Sequence, residues 1–232
     1  MPQDRSRSAN RLLSSLPETE YRRLEPYIIP VNLPLGMGFY EPNEIIETVY
    51  FPKKALISLV STLKNGATAE VGLIGGTGAV CLPGFLGSGY SKNRAVVQVA
   101  DGALKISAKI LKREFELGGT LQKLLLQYTE TRLDQISQLA VCNAHHTIEE
   151  RLARWLLTVQ DLIQSDELPL TQEYIADMLG VQRSGVTIAA GILQRAGLIN
   201  YSRGRIKIKE RKNLEMAACE CYKLFHDHFY RE

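Results

Sequence analysis

The chain has 232 residues, 45% hydrophobic and 23% charged, with a formal net charge of +3. These proportions exclude a disordered, collagen-like or disulfide-stapled chain and suit one large or two modest globular domains. No apolar run approaches the ~20 residues that a bilayer-crossing helix needs, so no membrane partner is expected.

The opening stretch, MPQDRSRSANRLLSSLPETE, lacks the apolar core of a leader peptide, and a cytoplasmic location is expected. Asn10–Leu24 reads as one or two short helices, broken at Pro17 and ended by Pro26. From Ile28 to Ile110, short β-prone runs alternate with glycine and proline turns. They are Val49–Phe51, Ala55–Thr62, Ala69–Leu73, Ala95–Val99 and Ala103–Ser107. Their spacing predicts an antiparallel β sandwich or jelly-roll barrel.

Leu111–Asn143 then turns helical. Leu126, Leu133, Ile136 and Ala140 form an apolar stripe, which Leu121, Leu125 and Tyr128 thicken. Such a stripe can zip against its own copy across a two-fold axis. A helix of ~33 residues spans ~50 Å and would outrun a small barrel, which favours a homodimer seam over a cover for the barrel. Ile148–Ile163 is a further helix, with Leu152, Trp155, Leu156 and Val159 on one face. His145 and His146 lie at the junction and suit hinge or capping roles. The polar Gln164–Pro169 stretch links onward.

Leu170–Gly204 is the most informative segment. Thr171 stands where an N-cap belongs, and Ile175, Ala176, Met178 and Leu179 give the first helix its apolar side. Gly180 permits a tight turn, and Val181 anchors it. A second helix is expected over Gln182–Ala196, with Val186, Ala189, Ile192, Leu193 and Ala196 on the inner side. The outer side carries Arg183, Ser184, Thr187, Ile188, Gly191, Gln194 and Arg195. Asn200–Lys209 then reads as a hairpin turning at Ser202–Arg205, with Ile206 and Ile208 alternating with Lys207 and Lys209.

This order is that of a winged helix-turn-helix, and its charge supports double-stranded DNA as the partner. Between Val181 and Lys212, eight cations stand against Glu210 alone, although the whole chain is only +3. A cationic stripe on such a motif is the footprint of a phosphate backbone. Arg183 can pair with guanine, Ser184 and Thr187 can reach bases or phosphates, and Ile188 can touch a thymine methyl. Gln194, Arg195, Arg203, Arg205 and Lys207 complete the expected DNA-binding set, the wing contributing backbone contacts.

Cys81, Cys142, Cys219 and Cys221 form no disulfide framework and are expected to be free thiols. Cys219, Cys221, His226 and His228 spell C-x-C-x4-H-x-H. If Arg211–Tyr230 is one helix, Cys219 and His226 share one face, while Cys221 and His228 share another about 160° away. No metal and no cofactor are therefore expected, since four ligands must converge. No nucleophile or acid pattern accompanies the histidines, so an enzyme is not expected.

Barrel, long helix, then winged helix-turn-helix resembles the Crp/Fnr family of bacterial transcription regulators over nearly the full length. The motif that carries the resemblance is LTQEYIADMLGVQRSGVTIAAGILQRAGLI. The family's reading helix typically opens S-R-x-x-V-x-R, and here Gln182-Arg183-Ser184-Gly185-Val186-Thr187-Ile188 stands in that place. Arg183 matches the first base-reading arginine and Val186 the core valine. Ser184 stands where a glutamate often reads cytosine, and Ile188 where a second arginine often sits. The operator is thus expected to differ from the well-known family sites.

The resemblance implies an α+β fold. Residues 1–110 would form a cyclic-nucleotide-binding-like β-roll, 111–145 a dimerisation helix and hinge, and 146–232 the winged helix-turn-helix. It also implies RNA polymerase as a partner and association with the nucleoid. Family members that bind cyclic AMP carry G-E-L, then R-S-A, between two barrel strands. Gly75–Val97 contains no acidic residue, and Asn93-Arg94-Ala95 falls near the R-S-A place. Control by cyclic AMP in the usual way is not expected. The alternative is a cyclic-nucleotide or other small-anion sensor using Arg94 and Lys92, with ligand-dependent DNA binding. The redox branch of the family holds an iron–sulfur centre on an N-terminal cysteine cluster, but no cysteine precedes Cys81 here. The effector stays unknown at this stage.

Overall fold

The computed structural model describes residues 10–230, with side chains up to His226. The first nine residues of the stretch read above as free of a leader, and the His228 side chain, lie outside that range. Among the described residues no helix is long and apolar enough to cross a membrane. The chain divides into two compact units, Met1–Ser61 with Gly72–Arg132, and Thr62–Val71 with Leu133–Glu232.

In the first unit, α1 (Arg11–Ser14) and α2 (Glu18–Leu24) flank Pro17 as the sequence predicts. Asn10 caps α1, and its buried amide donates to the carbonyls of Pro52 and Gly78, both at 2.9 Å. Six strands follow: β1 (Ile29–Leu33), β2 (Thr48–Pro52), β3 (Leu56–Thr62), β4 (Thr68–Ile74), β5 (Arg94–Val99) and β6 (Asp101–Ser107). The short helix α3 (Pro83–Leu86) lies between β4 and β5. The strands make two three-stranded sheets, ordered β1-β6-β2 and β4-β3-β5. Alternation sets the inward faces: Val49 and Phe51 on β2 and Leu104 and Ile106 on β6 bury with Leu13, Leu24 and Leu111. A second core joins Leu33, Ile57, Val80, Ala95 and Val97.

The helical stretch after β6 is not one helix. It forms α4 (Ala108–Glu116) and α5 (Thr120–His145), the latter 26 residues long. Gly118 and Gly119 both take positive φ, of 79° and 86°, and end α4. The Glu20 carboxylate then accepts from the first N–H groups of α5, Thr120 at 2.9 Å and Leu121 at 2.8 Å. At ~1.5 Å per residue α5 is ~39 Å long rather than ~50 Å. Leu121 and Leu125 bury in the sheet core, and the Tyr128 hydroxyl donates to Ala79 O at 3.2 Å. These residues therefore cover the sheet and do not thicken the outer stripe. Leu126, Leu133, Ile136 and Ala140 are all exposed.

In the second unit, α6 (Ile148–Ile163) starts at a capping box, with Thr147 and Glu150 satisfying each other's backbone groups. A one-faced helix was expected, yet every residue from Arg151 to Leu162 is buried. The reason is position: α6 is packed by α7 (Gln172–Leu179), α8 (Arg183–Arg195), α9 (Arg211–Ala217) and α10 (Cys221–Tyr230). Several of its buried polar groups find partners on those elements. Asp161 accepts from the Tyr222 hydroxyl at 2.7 Å and pairs with Arg211 at 2.8 Å, while Arg151 donates to the Leu179 carbonyl. Trp155, the sole tryptophan, is fully buried and its indole N–H donates to Glu70 Oε1 at 3.1 Å. Trp155→Ala is expected to cost ~3–5 kcal/mol of stability through the cavity it leaves and the lost indole hydrogen bond. Urea unfolding followed by circular dichroism reads this, and a loss below ~1 kcal/mol would contradict the central place of α6.

A candidate nucleic-acid interface

The helix pair forms where the sequence predicts it. The Thr171 hydroxyl caps α7 by accepting from Tyr174 N at 3.2 Å. Gly180 ends α7 at φ 63°, and Val181 follows before Gln182 opens α8. A side chain at Gly180 would be strained by that φ, and its Cβ would press on Ala69 at 3.1 Å. Gly185 is small for a different reason: a Cβ there would meet Ile148 Cδ1 at 2.9 Å, so α8 lies close against α6.

The inner side of α8 is Val186, Ala189, Ala190 and Leu193. Ile192 and Ala196 were expected there but are exposed, and Ala190 takes their place. The buried stripe is thus rotated slightly. Arg183, Ser184, Thr187 and Ile188 all stay exposed on the first two turns. Ile188 is 62% exposed beside Arg183, Ser184 and Thr187. Arg183 lies 3.5 Å from the Glu173 carboxylate, with both side chains mostly in solvent. Such a pair is worth little and is readily exchanged. Thr187 donates its hydroxyl to Gln172 Oε1 at 2.8 Å.

The wing is a three-stranded sheet, ordered β7-β9-β8, from β7 (Glu167–Leu168), β8 (Ile199–Ser202) and β9 (Arg205–Ile208). Arg203 and Gly204 form its two-residue turn, both at positive φ, as a type I′ hairpin requires. Ile206 and Ile208 are buried, and Arg203, Arg205, Lys207 and Lys209 are exposed. Besides Arg183 and Thr187, two more expected DNA contacts have partners inside the protein. Gln194 Oε1 accepts from Tyr201 N at 2.7 Å and ties α8 to the wing. Lys207 pairs with Glu167 across the sheet at 3.1 Å. Arg195 remains exposed at the end of α8.

Residues 150–217 match the Crp-like helix-turn-helix domain family. This segment is a Crp-like helix-turn-helix domain. No curated protein sequence matches the chain significantly. Solved structures do match. A crp/fnr-family protein from Eubacterium rectale is 19% identical, covers 90% of this chain and 98% of its own, and superposes with a TM-score of 0.73. FixK2 from Bradyrhizobium japonicum is 16% identical over 83% and 98%, with a TM-score of 0.71. TTHB099, a CRP-family transcriptional regulator from Thermus thermophilus, is 17% identical over 81% and 96%, with a TM-score of 0.69. At such identities the likeness establishes the fold. The chain thus shares its fold with those structures and carries a Crp-like helix-turn-helix domain over residues 150–217.

The Crp-like domain was legible from sequence; two other features were not. In the first unit, Arg94 opens β5 and is ion-paired to Glu41 at 3.0 Å, both side chains about half exposed. Lys92 is exposed nearby. Glu41 comes from a turn more than fifty residues away in sequence, so the pair was not visible in Gly75–Val97.

The second feature lies at the C-terminal end. Arg211–Tyr230 is not one helix: α9 stops at Ala217, Ala218 is extended, and α10 begins at Cys221. The break turns Cys219 and Cys221 toward Cys142, in the last turn of α5, and His146, just past its end. The Cys142 and Cys219 sulfurs lie 3.6 Å apart, and Cys221 Sγ lies 3.7 Å from His146 Nδ1. The Cys219 hydrogen bond, aided by the charge of Arg154, draws the Cys142 thiol down to about 4. That same hydrogen bond, with burial, pushes Cys219 up. The hydrogen bond with Cys142 also raises His146. His226 packs its ring on Tyr222 instead, with centroids 5.9 Å apart. Cys219 and Cys221 thus neighbour His146 rather than His226, and the available signal was the spacing Cys142-x3-His146 at a helix end.

Proposed function

We propose that the chain is a homodimeric, sequence-specific DNA-binding transcription regulator that reads an inverted-repeat operator. The observation that carries this is the exposed opening of α8, where Arg183, Ser184, Thr187 and Ile188 share a surface beside a cationic wing. A reading helix contacts base edges from that end. The exposed stripe Leu126, Leu133, Ile136 and Ala140 on α5 supports a two-fold seam. The two α8 helices then enter successive major grooves on one side of the duplex. RNA polymerase is the partner through which a promoter-bound dimer acts, and the nucleoid is its place of work.

Control by cyclic AMP in the usual way is left out of this proposal. The Arg94 guanidinium is ion-paired with Glu41, so an anionic ligand would first have to displace a carboxylate. Selection from random duplex DNA with the full-length protein tests the proposal. Expected is an inverted repeat with half-sites centred ~34 Å apart. Enrichment of a single half-site contradicts the dimer, and no enrichment contradicts the reader.

The wing contributes phosphate contacts. Arg203 and Arg205 stand exposed at its turn, whereas Lys207 would first exchange its solvated pair with Glu167. Arg205→Ala is expected to weaken binding to all duplexes alike and to lower the salt slope by about one. Fluorescence anisotropy across a salt series measures this; an unchanged slope removes Arg205 from the interface.

A further inference from the structure

From the convergence of Cys142, His146, Cys219 and Cys221 we infer a closed metal site for a single zinc ion. It ties the C-terminal end of α5 to the α9–α10 junction. The four ligand atoms lie within 4.8 Å of one another. Tetrahedral zinc, with Zn–S of about 2.3 Å and Zn–N of about 2.0–2.1 Å, sets its ligands about 3.6–3.8 Å apart. The two separations given above, 3.6 Å and 3.7 Å, already match those edges. Three sulfurs and one imidazole nitrogen form the soft donor set that selects zinc. The sulfurs are too close together to span a multi-iron cluster, which spreads its cysteines around several irons.

The surroundings fit a bound ion. His146 turns Nδ1 to the cluster, and its Nε2 faces the Glu220 carboxylate at 3.1 Å. That is the carboxylate–histidine–metal arrangement that fixes the ring and its tautomer. Gln138 donates to Cys221 Sγ at 3.0 Å, as an outer partner of a thiolate does. Three thiolates and a dication leave one negative charge. Arg154 lies on α6 beside these sulfurs, 3% exposed, with a buried Nε that has no hydrogen-bond partner among the described residues. Leu139 and Phe225 pack with the three cysteines and exclude water. A surface groove bordered by Arg211, Glu215, Cys219, Glu220, Tyr222 and His226 gives the ion a path to Cys219.

The ion replaces a packing job that the sequence leaves weak. α9 is only seven residues long, and the chain is extended at Ala218 between it and α10. Four bonds to one ion fasten both to α5. Because all four positions are filled by the protein, the site holds structure and has no open position for catalysis.

The test uses the full-length protein, reduced, stripped with chelator under anaerobic conditions and titrated with cobalt(II). Expected is saturation at one equivalent, with the strong ligand-field bands of tetrahedral cobalt and sulfur-to-cobalt charge transfer of three-thiolate intensity. One equivalent of zinc then bleaches the spectrum and raises the thermal midpoint. Cys219→Ser and Cys221→Ser should each lower the charge-transfer intensity. Weak octahedral bands, no uptake by the reduced wild-type chain, or a tetrahedral spectrum that survives both substitutions overturns the site. So does an iron–sulfur chromophore as the bound species, or a Cys142–Cys219 disulfide that forms while the reduced protein takes up no metal. The wild-type titration decides the matter even if a variant fails to fold.

Discussion

Leu133→Asp is expected to convert the proposed dimer into monomers and to remove most of the operator affinity. Leu133 is 62% exposed on α5, beside Leu126, Ile136 and Ala140. Across a two-fold seam the substitution brings two carboxylates together, each losing water, and a buried unpaired charge costs several kcal/mol. A monomer can hold one half-site only, so its affinity falls toward that for random DNA, a gap of about 10³–10⁷. The fold itself should survive, because the side chain buries little within its own chain. Light scattering reads the mass and circular dichroism the fold. A dimer that persists with intact α5 moves the interface elsewhere.

Arg183→Ala should act on the operator and hardly at all on random duplexes. A bidentate contact to guanine is worth ~1–3 kcal/mol of discrimination, and a dimer makes the contact twice. Exchanging the Glu173 pair at 3.5 Å costs little, since both groups are solvated. The specific affinity should therefore fall about 30- to 10⁴-fold, and preference should relax at one base position in each half-site. Equal losses on operator and random DNA would make Arg183 a phosphate contact.

Much of this was legible because the deciding signals are local. Val49 and Phe51 alternate, Pro17 breaks a helix, Thr171 caps one, and the positive φ of Gly180 ends one. The bounds of α6 agree with its periodicity. What was hidden depends on distant partners. A one-faced apolar pattern on α6 conceals a buried polar side, because Arg211 and Tyr222 come from 50 to 61 residues away to satisfy it. Arg94 looked available to an anion until Glu41 folded against it. Gly118–Gly119 broke a helix whose apolar stripe runs on as if unbroken. The cysteine cluster was least legible of all. Nothing near Ala218 signals a stop, and Cys142 and Cys219 are separated by 77 residues.

The most direct measurement is a hydroxyl-radical footprint of the full-length protein on a selected operator. The account predicts two protected patches on one face of the duplex, in successive major grooves ~34 Å apart. A single patch, or two patches on opposite faces, would contradict a two-fold pair of α8 helices reading one inverted repeat.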